Sequence, residues 1–207
     1  MSNKARFISF EGTEGSGKST QCQMLYDHLQ SQNIKALLTR EIGGVCSAEA
    51  IREIVVSTEL LPMSELMLVF AARLEHIQKL ILPKLQDNYS VICDRFIDST
   101  ACYQGIHSEI GVEKVYRLHQ ELVSDILPDI TFFIDIDPIE ALHRTIMRGN
   151  NNKFEQKDLE FHQAVYRAFQ KIADRFPARI VKIGATGLTK EALHNKVLEF
   201  LPISNER

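Results

Sequence analysis

Apolar positions along this chain follow two rhythms. Five short runs are apolar almost throughout: RFISFE (6–11), IKALLTR (34–40), YSVICDR (89–95), DITFFIDI (129–136) and ARIVKI (178–183). Between them apolar residues return every three or four positions, as in the stripe of Met24, Leu25, His28 and Leu29. The first rhythm predicts buried strands and the second predicts helices. Helices are expected over about 17–32, 47–57, 64–87, 96–104, 111–124, 138–148, 157–176 and 189–200. Pro83 should bend the long helix or mark its last turns, whereas Pro138 suits the first turn of its own.

Strands followed in turn by helices imply an α/β fold of three layers, with a central parallel sheet of about five strands flanked by helices. Right-handed crossovers then bring every strand's carboxyl end to one edge, where such sheets bind ligands. That edge collects Glu11, Arg40, Asp94, Arg95 and Asp137. The polar, asparagine-rich stretch RGNNNKFEQ (148–156) reads as a loop. No repeat, low-complexity tract or Pro/Gly/Ser-rich linker divides the 207 residues, so a single domain is expected.

Composition narrows the partners. A net charge of −3 argues against holding long nucleic acid, which calls for a basic surface, but leaves room for a small phosphorylated ligand. The longest apolar stretch, Leu66 to Ala72, is far too short to span a bilayer. The opening MSNKARFISFEG lacks the pattern of a secretion signal. Cys22, Cys46, Cys93 and Cys102 form no CxxC pair and have no metal-ligand spacing to histidine, so reduced packing thiols in a cytoplasmic protein are expected.

The segment between the first strand and the first helix carries the chemistry. Gly12-Thr13-Glu14-Gly15-Ser16-Gly17-Lys18-Ser19 fits GxxxxGK[ST] without a mismatch. Glycines leave backbone amides uncovered, so that they form a nest for phosphate at a helix start. Lys18 can bridge the terminal phosphates, and the Ser19 hydroxyl can ligate Mg²⁺. A GTPase switch would also need an NKxD sequence for guanine. Asn152-Lys153-Phe154-Glu155 and Asn195-Lys196-Val197-Leu198 both lack its Asp. A kinase for a small acceptor fits better, and it needs a second anion site, for which arginine is the preferred clamp. Arg40, Arg73 and Arg95 are candidates, and Arg148 and Lys153 could close over the transferring phosphoryl.

Together these motifs resemble the thymidylate kinase family. FEGTEGSGKST is similar to its FEGxDGxGKST, TREIGG (39–44) to TREPGG, and DRFIDSTACYQG (94–105) to DRYxxSxxAYQG. EAIREIV (49–55), FAARLEHI (70–77) and PDITFFIDIDPIEALHR (128–144) also fall in the family's order. The resemblance implies a P-loop NTPase fold and a reaction in dTTP biosynthesis, in which ATP·Mg²⁺ and dTMP give ADP and dTDP. It implies that residues Gly12 to Ser19 bind ATP phosphates, that Glu14 approaches the sugar 3′-hydroxyl, and that Asp94 orients Mg²⁺ or its waters. Arg73 and Arg95 would hold the dTMP phosphate, with Arg40 at the same site. Ser99, Thr100 and Gln104 would contact the base or its wall, and Tyr103 would crowd the 2′ position. A homodimer formed through helices is also implied.

The chain departs from the family pattern in three places. Ile42 replaces the proline of TREPGG, with Val45 in place of the next threonine. Phe70 stands three residues before Arg73, whereas the family's aromatic commonly stands four before, where this chain has Val69, so either Phe70 stacks on thymine after a small local adjustment or the base meets an aliphatic surface. Asn152-Lys153 occupies the place of an Asp-Arg pair in the lid, about 148–156, so Arg148 is expected to carry more of the lid's role than Lys153. A kinase for another deoxynucleotide and a nucleotide-dependent binding protein are the alternative readings.

Overall fold

Among the described residues, five parallel strands lie in the order β2-β3-β1-β4-β5: β1 (Phe7–Glu11), β2 (Ala36–Arg40), β3 (Ser90–Asp94), β4 (Ile130–Asp135) and β5 (Ile180–Gly184). The computed structural model describes residues 5–106, 109–149 and 153–201, without the side chain of Arg148. The strands are joined by α1 (Lys18–Ser31), α2 (Cys46–Ser57), α3 (Pro62–His76), α4 (Leu82–Gln86), α5 (Ile97–Tyr103), α6 (Val112–Leu122), α7 (Pro138–Arg148) and α8 (Leu159–Arg175), and α9 (Lys190–Glu199) follows β5. No helix among them is long and apolar enough to cross a membrane.

The two-residue period of the strands divides the core. Ile8, Phe10, Ile92, Phe132 and Ile134 pack with Cys22, Leu25, Leu193 and Val197 of α1 and α9. Phe7, Val91, Cys93 and Phe133 face the other way, among residues of α3, α5, α6 and α8 such as Phe70, Ile97, Val115 and Phe169. Each buried Phe or Ile contributes about 1.5–3 kcal/mol, so a sheet covered on both faces is strongly favoured. Ser9 and Glu11 share the side of Phe7, as the period requires. Ser9 and Thr131 bond each other at 2.7 Å, and the Arg179 guanidinium reaches both Thr131 and the buried carboxylate of Asp98. These four polar side chains are therefore paired, which keeps their burial tolerable.

Pro83 leaves its mark one turn earlier than its own position. It has no N–H for the carbonyl of Lys79, and the chain widens into a π-helical stretch, Ile77–Ile81, between α3 and α4. Capping is local and legible. Asp137 accepts from the amides of Ile139 and Glu140 with Pro138 next to it, Asp158 accepts from Phe161, and Thr189 from Ala192. In register, Phe10 pairs with Asp94, and Arg40 pairs with Asp94 from the other side. The ends of β1, β2 and β3 thus bring Glu11, Arg40 and Asp94 to one edge. The four cysteines are free, and all but Cys46 are buried.

Candidate active site

The loop from Gly12 to Gly17 runs into α1 at the sheet's carboxyl edge. Gly17, in the left-handed region, precedes the helix with no side-chain cap, which leaves the first amides of α1 open to an anion. At Gly15 a Cβ would stand 2.1 Å from the carbonyl oxygen of Ala141 and 2.8 Å from Thr145 Oγ1, so the loop's tip can lie against α7 only as glycine. Lys18 is buried and donates from Nζ to the carbonyl of Thr13 at 2.9 Å. Burial, reinforced by the charge of Arg95, pushes its pKa down to about 8. The hydroxyls of Thr13 and Ser16 are buried without a partner. Such groups cost free energy until something binds them.

Arg95 ties this loop to the next element. Its φ is +70°, a left-handed conformation that costs an L-residue about 1–2 kcal/mol. The side chain gains several bonds in return. Nη1 donates to the carbonyl of Gly12 at 2.9 Å and to Ser99 Oγ at 2.8 Å, while Nη2 donates to Glu14 Oε1 at 2.9 Å. Tyr103 donates its hydroxyl to the other oxygen of Glu14 at 2.5 Å, and His162 Nδ1 stands 4.0 Å from that oxygen. Burial pushes the Glu14 carboxyl up, but Arg95 and then Lys18 outweigh it, and its pKa lies below the ordinary value. Glu11, directly beneath, behaves oppositely. Burial and the nearby Asp98 push it up to about 8, although it accepts from the Phe96 amide and from Ser99.

A second arginine is set deeper. Arg73 on α3 is only 2% exposed and donates from Nε to Glu41 Oε2 and from Nη2 to Thr100 Oγ1, both at 2.7 Å. Glu41 in turn meets His76 Nδ1 at 3.1 Å, and His76 Nε2 meets Thr39 Oγ1 at 2.8 Å. Burial pushes Glu41 up, Arg73 and His76 pull it down, and the net pKa is below the ordinary value. One nitrogen of Arg73, Nη1, is buried and has no partner.

A cleft holding about 570 Å³ of empty space, counted to its open mouth, runs between these groups. Glu14, Arg52, Arg73, Arg95, Ser99, Thr100, Tyr103 and Gln104 supply its polar wall, and Val56, Val69 and Phe96 part of its apolar wall. Two of the expected residues lie outside this wall. Arg40 is not in the wall. Its side chain is 55% exposed and pairs with Glu49, and Arg52, whose Nη1 donates to the carbonyl of Ile42, stands in the cleft instead. The signal for Arg52 was its place in EAIREIV, at helical spacing from Val56. Phe70 is likewise absent from the wall. A helix turns about 100° per residue, so adjacent positions cannot share a face. Val69 meets the cleft, and Phe70 packs inward with its ring 6.3 Å from His119. Ser99 and Thr100 line the cleft while already bonded to Arg95 and Arg73.

Beyond α7 the lid stretch is described from Lys153 onward. The side chain of Arg148 and residues 150–152 lie outside the described residues, so the ranking of Arg148 over Lys153 is not addressed there. Arg144 pairs with Glu140 one turn back on α7. Lys153 does not turn towards the glycine-rich loop. It bonds Glu65 Oε2 at 2.5 Å and the carbonyl of Thr58 at 2.9 Å.

Two acidic and hydroxyl groups bear on a metal. Ser19 donates its hydroxyl to Asp94 Oδ2, and Asp94 Oδ1 is buried without a partner. Among the described residues no group of three or more His, Cys, Asp or Glu could hold an ion by itself. Mg²⁺ would not need one, because it is usually held through one or two protein groups together with substrate phosphates and water. A separate open cleft at the ends of β4 and β5, lined by Asp135, Tyr166, Gly184, Thr186 and Lys196, adjoins the same edge. The sequence carries no motif that singles it out.

A phosphate-binding loop at a helix start, joined through Arg95 to a cleft walled by arginines, defines a P-loop phosphotransferase for a small anionic acceptor. A family model described as thymidylate kinase matches residues 10–197. The thymidylate kinase of Rickettsia bellii (strain RML369-C) is 52% identical over 195 residues, covering 94% of this chain and 95% of that protein. That of Rickettsia canadensis (strain McKiel) is 50% identical, covering 96% and 98%. The crystal structure of thymidylate kinase from Ehrlichia chaffeensis superposes with a TM-score of 0.77 at 35% identity, covering 96% of this chain and 99% of that one. The chain belongs to the thymidylate kinase family.

Proposed function

We propose that the chain works as one cytoplasmic kinase domain that transfers the γ-phosphoryl of ATP to dTMP, giving ADP and dTDP. The observation that carries this reading is the free Nη1 of Arg73, held by Glu41 and Thr100 in a cleft whose wall includes Glu14 of the phosphate loop. A buried guanidinium with an unused donor is matched by an anionic or carbonyl group of a ligand.

In this reading the loop Gly12–Ser19 and the start of α1 cradle the ATP phosphates. Arg95 and Arg73 grip dTMP, Glu14 meets the sugar, and the Tyr103 ring excludes a 2′-hydroxyl. Gln104 gives its Nε2 hydrogen to Glu65 at 2.8 Å, which leaves its carbonyl oxygen for a donor such as the imide N–H of thymine. Ser19 and Asp94 would hold Mg²⁺, which would neutralise phosphate charge when bound. An oxygen of the dTMP phosphate attacks Pγ, and the bond from Pγ to the bridging oxygen breaks with its electron pair leaving on ADP. The acceptor is already ionised, so no general base is required. Positioning and charge neutralisation carry the rate, with Lys18 strengthening its contact as charge shifts to the leaving group.

The apolar stripe of Met63, Met67 and Leu74 along α3, exposed at 38%, 65% and 38%, supports a homodimer through this helix. The test of the reading is phosphotransfer from ATP to dTMP, dUMP, dCMP, dGMP and AMP. dTMP should be best, with dUMP lower by about 10- to 200-fold for the loss of one methyl contact. ATP binding with no acceptor-dependent ADP release would instead indicate a nucleotide-dependent binding protein.

A further inference from the structure

We propose that Lys153 is a positioning residue of the acceptor cleft, acting through Glu65 on Gln104 and seating Phe154 in the cleft wall, rather than a cation for the transferring phosphoryl. Its position in the chain suggests the opposite role, since it follows α7, where the lid would be looked for. Among the described residues, its hydrogen bonds lie on the acceptor side. Nζ bonds Glu65 Oε2 at 2.5 Å and the carbonyl of Thr58 at 2.9 Å, and its own amide donates to the carbonyl of Val56 at 3.4 Å. Both charged side chains are about nine-tenths shielded from water, at 11% and 10% exposure.

Glu65 is the centre of the arrangement. Its second oxygen accepts from Gln104 Nε2 at 2.8 Å, so one carboxylate is shared between the lid stretch and a residue that lines the cleft. An ionised carboxylate can only accept, so it dictates which end of the Gln104 amide turns away from the cleft. Lys153 neutralises that carboxylate and anchors the next residue. Phe154 lines the cleft, with its ring edge-on to Tyr103 at 5.7 Å between centroids and 87° between planes. Val69, where an aromatic could have stood on α3, leaves that wall aliphatic, and Phe154 brings an aromatic surface to the cleft from a different element. Lys157, 3.5 Å from Glu59, adds a second, exposed tie between the same two stretches.

The inference rests on the acceptor reading above, and the experiment separates the two. Lys153→Met, Lys153→Arg, Glu65→Gln and the Lys153→Met/Glu65→Gln double variant are assayed with whichever monophosphate the wild type phosphorylates best. A wrong acceptor therefore shows in the wild-type panel, and a wrong role for the pair shows in the variants. Lys153→Met and Glu65→Gln should each raise the acceptor KM about tenfold, with kcat and the ATP KM within about twofold of wild type. The double variant should be no worse than the poorer single one, and Lys153→Arg should stay near wild type. If Glu65→Gln folds poorly, the two Lys153 variants decide alone. A fall in kcat for Lys153→Met at unchanged acceptor KM, or additive losses in the double variant, would overturn the proposal.

Discussion

Arg95 Nη2 and Glu14 Oε1 lie 2.9 Å apart, joining the first residue after β3 to the middle of the phosphate loop. The pair does two things at once. It balances a carboxylate within the glycine-rich loop, and it orients a guanidinium whose other nitrogen holds Gly12 and Ser99. Donor loop and acceptor cleft are therefore one hydrogen-bonded unit, and a change at Arg95 should be felt at both substrates.

Arg95→Lys tests this. One ammonium cannot reach Gly12, Ser99 and Glu14 in the geometry of a planar fork. Loss of two charge-assisted bonds, each about 1.5–3 kcal/mol, should lower kcat/KM for dTMP by about a hundredfold or more, and the ATP KM should rise as well. Steady-state kinetics with each substrate varied in turn checks it. An unchanged ATP KM would show that the two sites are independent.

Lys18 gives a pH signature. In the free protein its pKa is pushed down to about 8 by burial and by Arg95. kcat/KM for ATP reports the free enzyme, so it should fall about tenfold per unit above pH 8 as the ammonium loses its proton. The bound triphosphate favours the charged form, so kcat should hold to higher pH. Parallel alkaline limbs in the two profiles would remove Lys18 as the group responsible. Lys18→Ala should lower kcat by about 10²- to 10³-fold.

Much of this was legible in the chain, because the strands are apolar throughout and the loop motif constrains each position it contains. β1 to β5 and the helices between them fall within a few residues of their expected places, since Gly, Pro and Asp punctuate them. The phosphate loop and Arg95 could be placed because a strand end fixes where the next residue sits. The acceptor wall was harder. Val69 and Phe70 are both apolar, and only helix phase decides which faces the cleft. Arg40 ends a strand as Arg95 follows one, yet Glu49 on α2 draws it outward, a contact between elements that periodicity cannot show. The shared carboxylates Glu41 and Glu65 were invisible for the same reason, because each joins segments more than thirty residues apart.

Glu11 should make stability fall with rising pH in a defined window. Its pKa is about 8 in the folded chain, raised by burial and Asp98, against about 4.3 when unfolded. Between those values the folded state holds a proton that the unfolded state has released, so stability declines as pH rises from about 4.5 to 8. Glu14 and Glu41 act in the other direction. Their lowered pKa values stabilise the fold above about pH 4.3, and that stability is lost as pH falls through the folded values. Glu11→Gln can still accept from the Phe96 amide and can donate to Ser99. Its melting temperature should match wild type near pH 5 and exceed it by roughly 10 °C at pH 8. A constant difference across that range would mean that Glu11 is ionised in the folded chain at neutral pH.

The unpartnered Nη1 of Arg73 predicts a thermal response to ligand. A monophosphate that satisfies this donor binds the folded chain alone, and at a hundred times its Kd it contributes about 2.7 kcal/mol. For a chain of this size that raises the melting temperature by about 5–10 °C. Arg73→Lys retains a positive charge but must choose among Glu41, Thr100 and the ligand, because its single ammonium cannot span the fork that Nε, Nη1 and Nη2 provide. Two effects then combine: Glu41 stays paired with His76, so the fold survives, while the contact to ligand is lost. Scanning fluorimetry at matched dTMP concentration should show the full shift in wild type and no more than about half of it in Arg73→Lys, as a tenfold or greater loss of affinity requires. Equal shifts in the two proteins would place the substrate away from Arg73 and leave its free nitrogen without the role assigned to it.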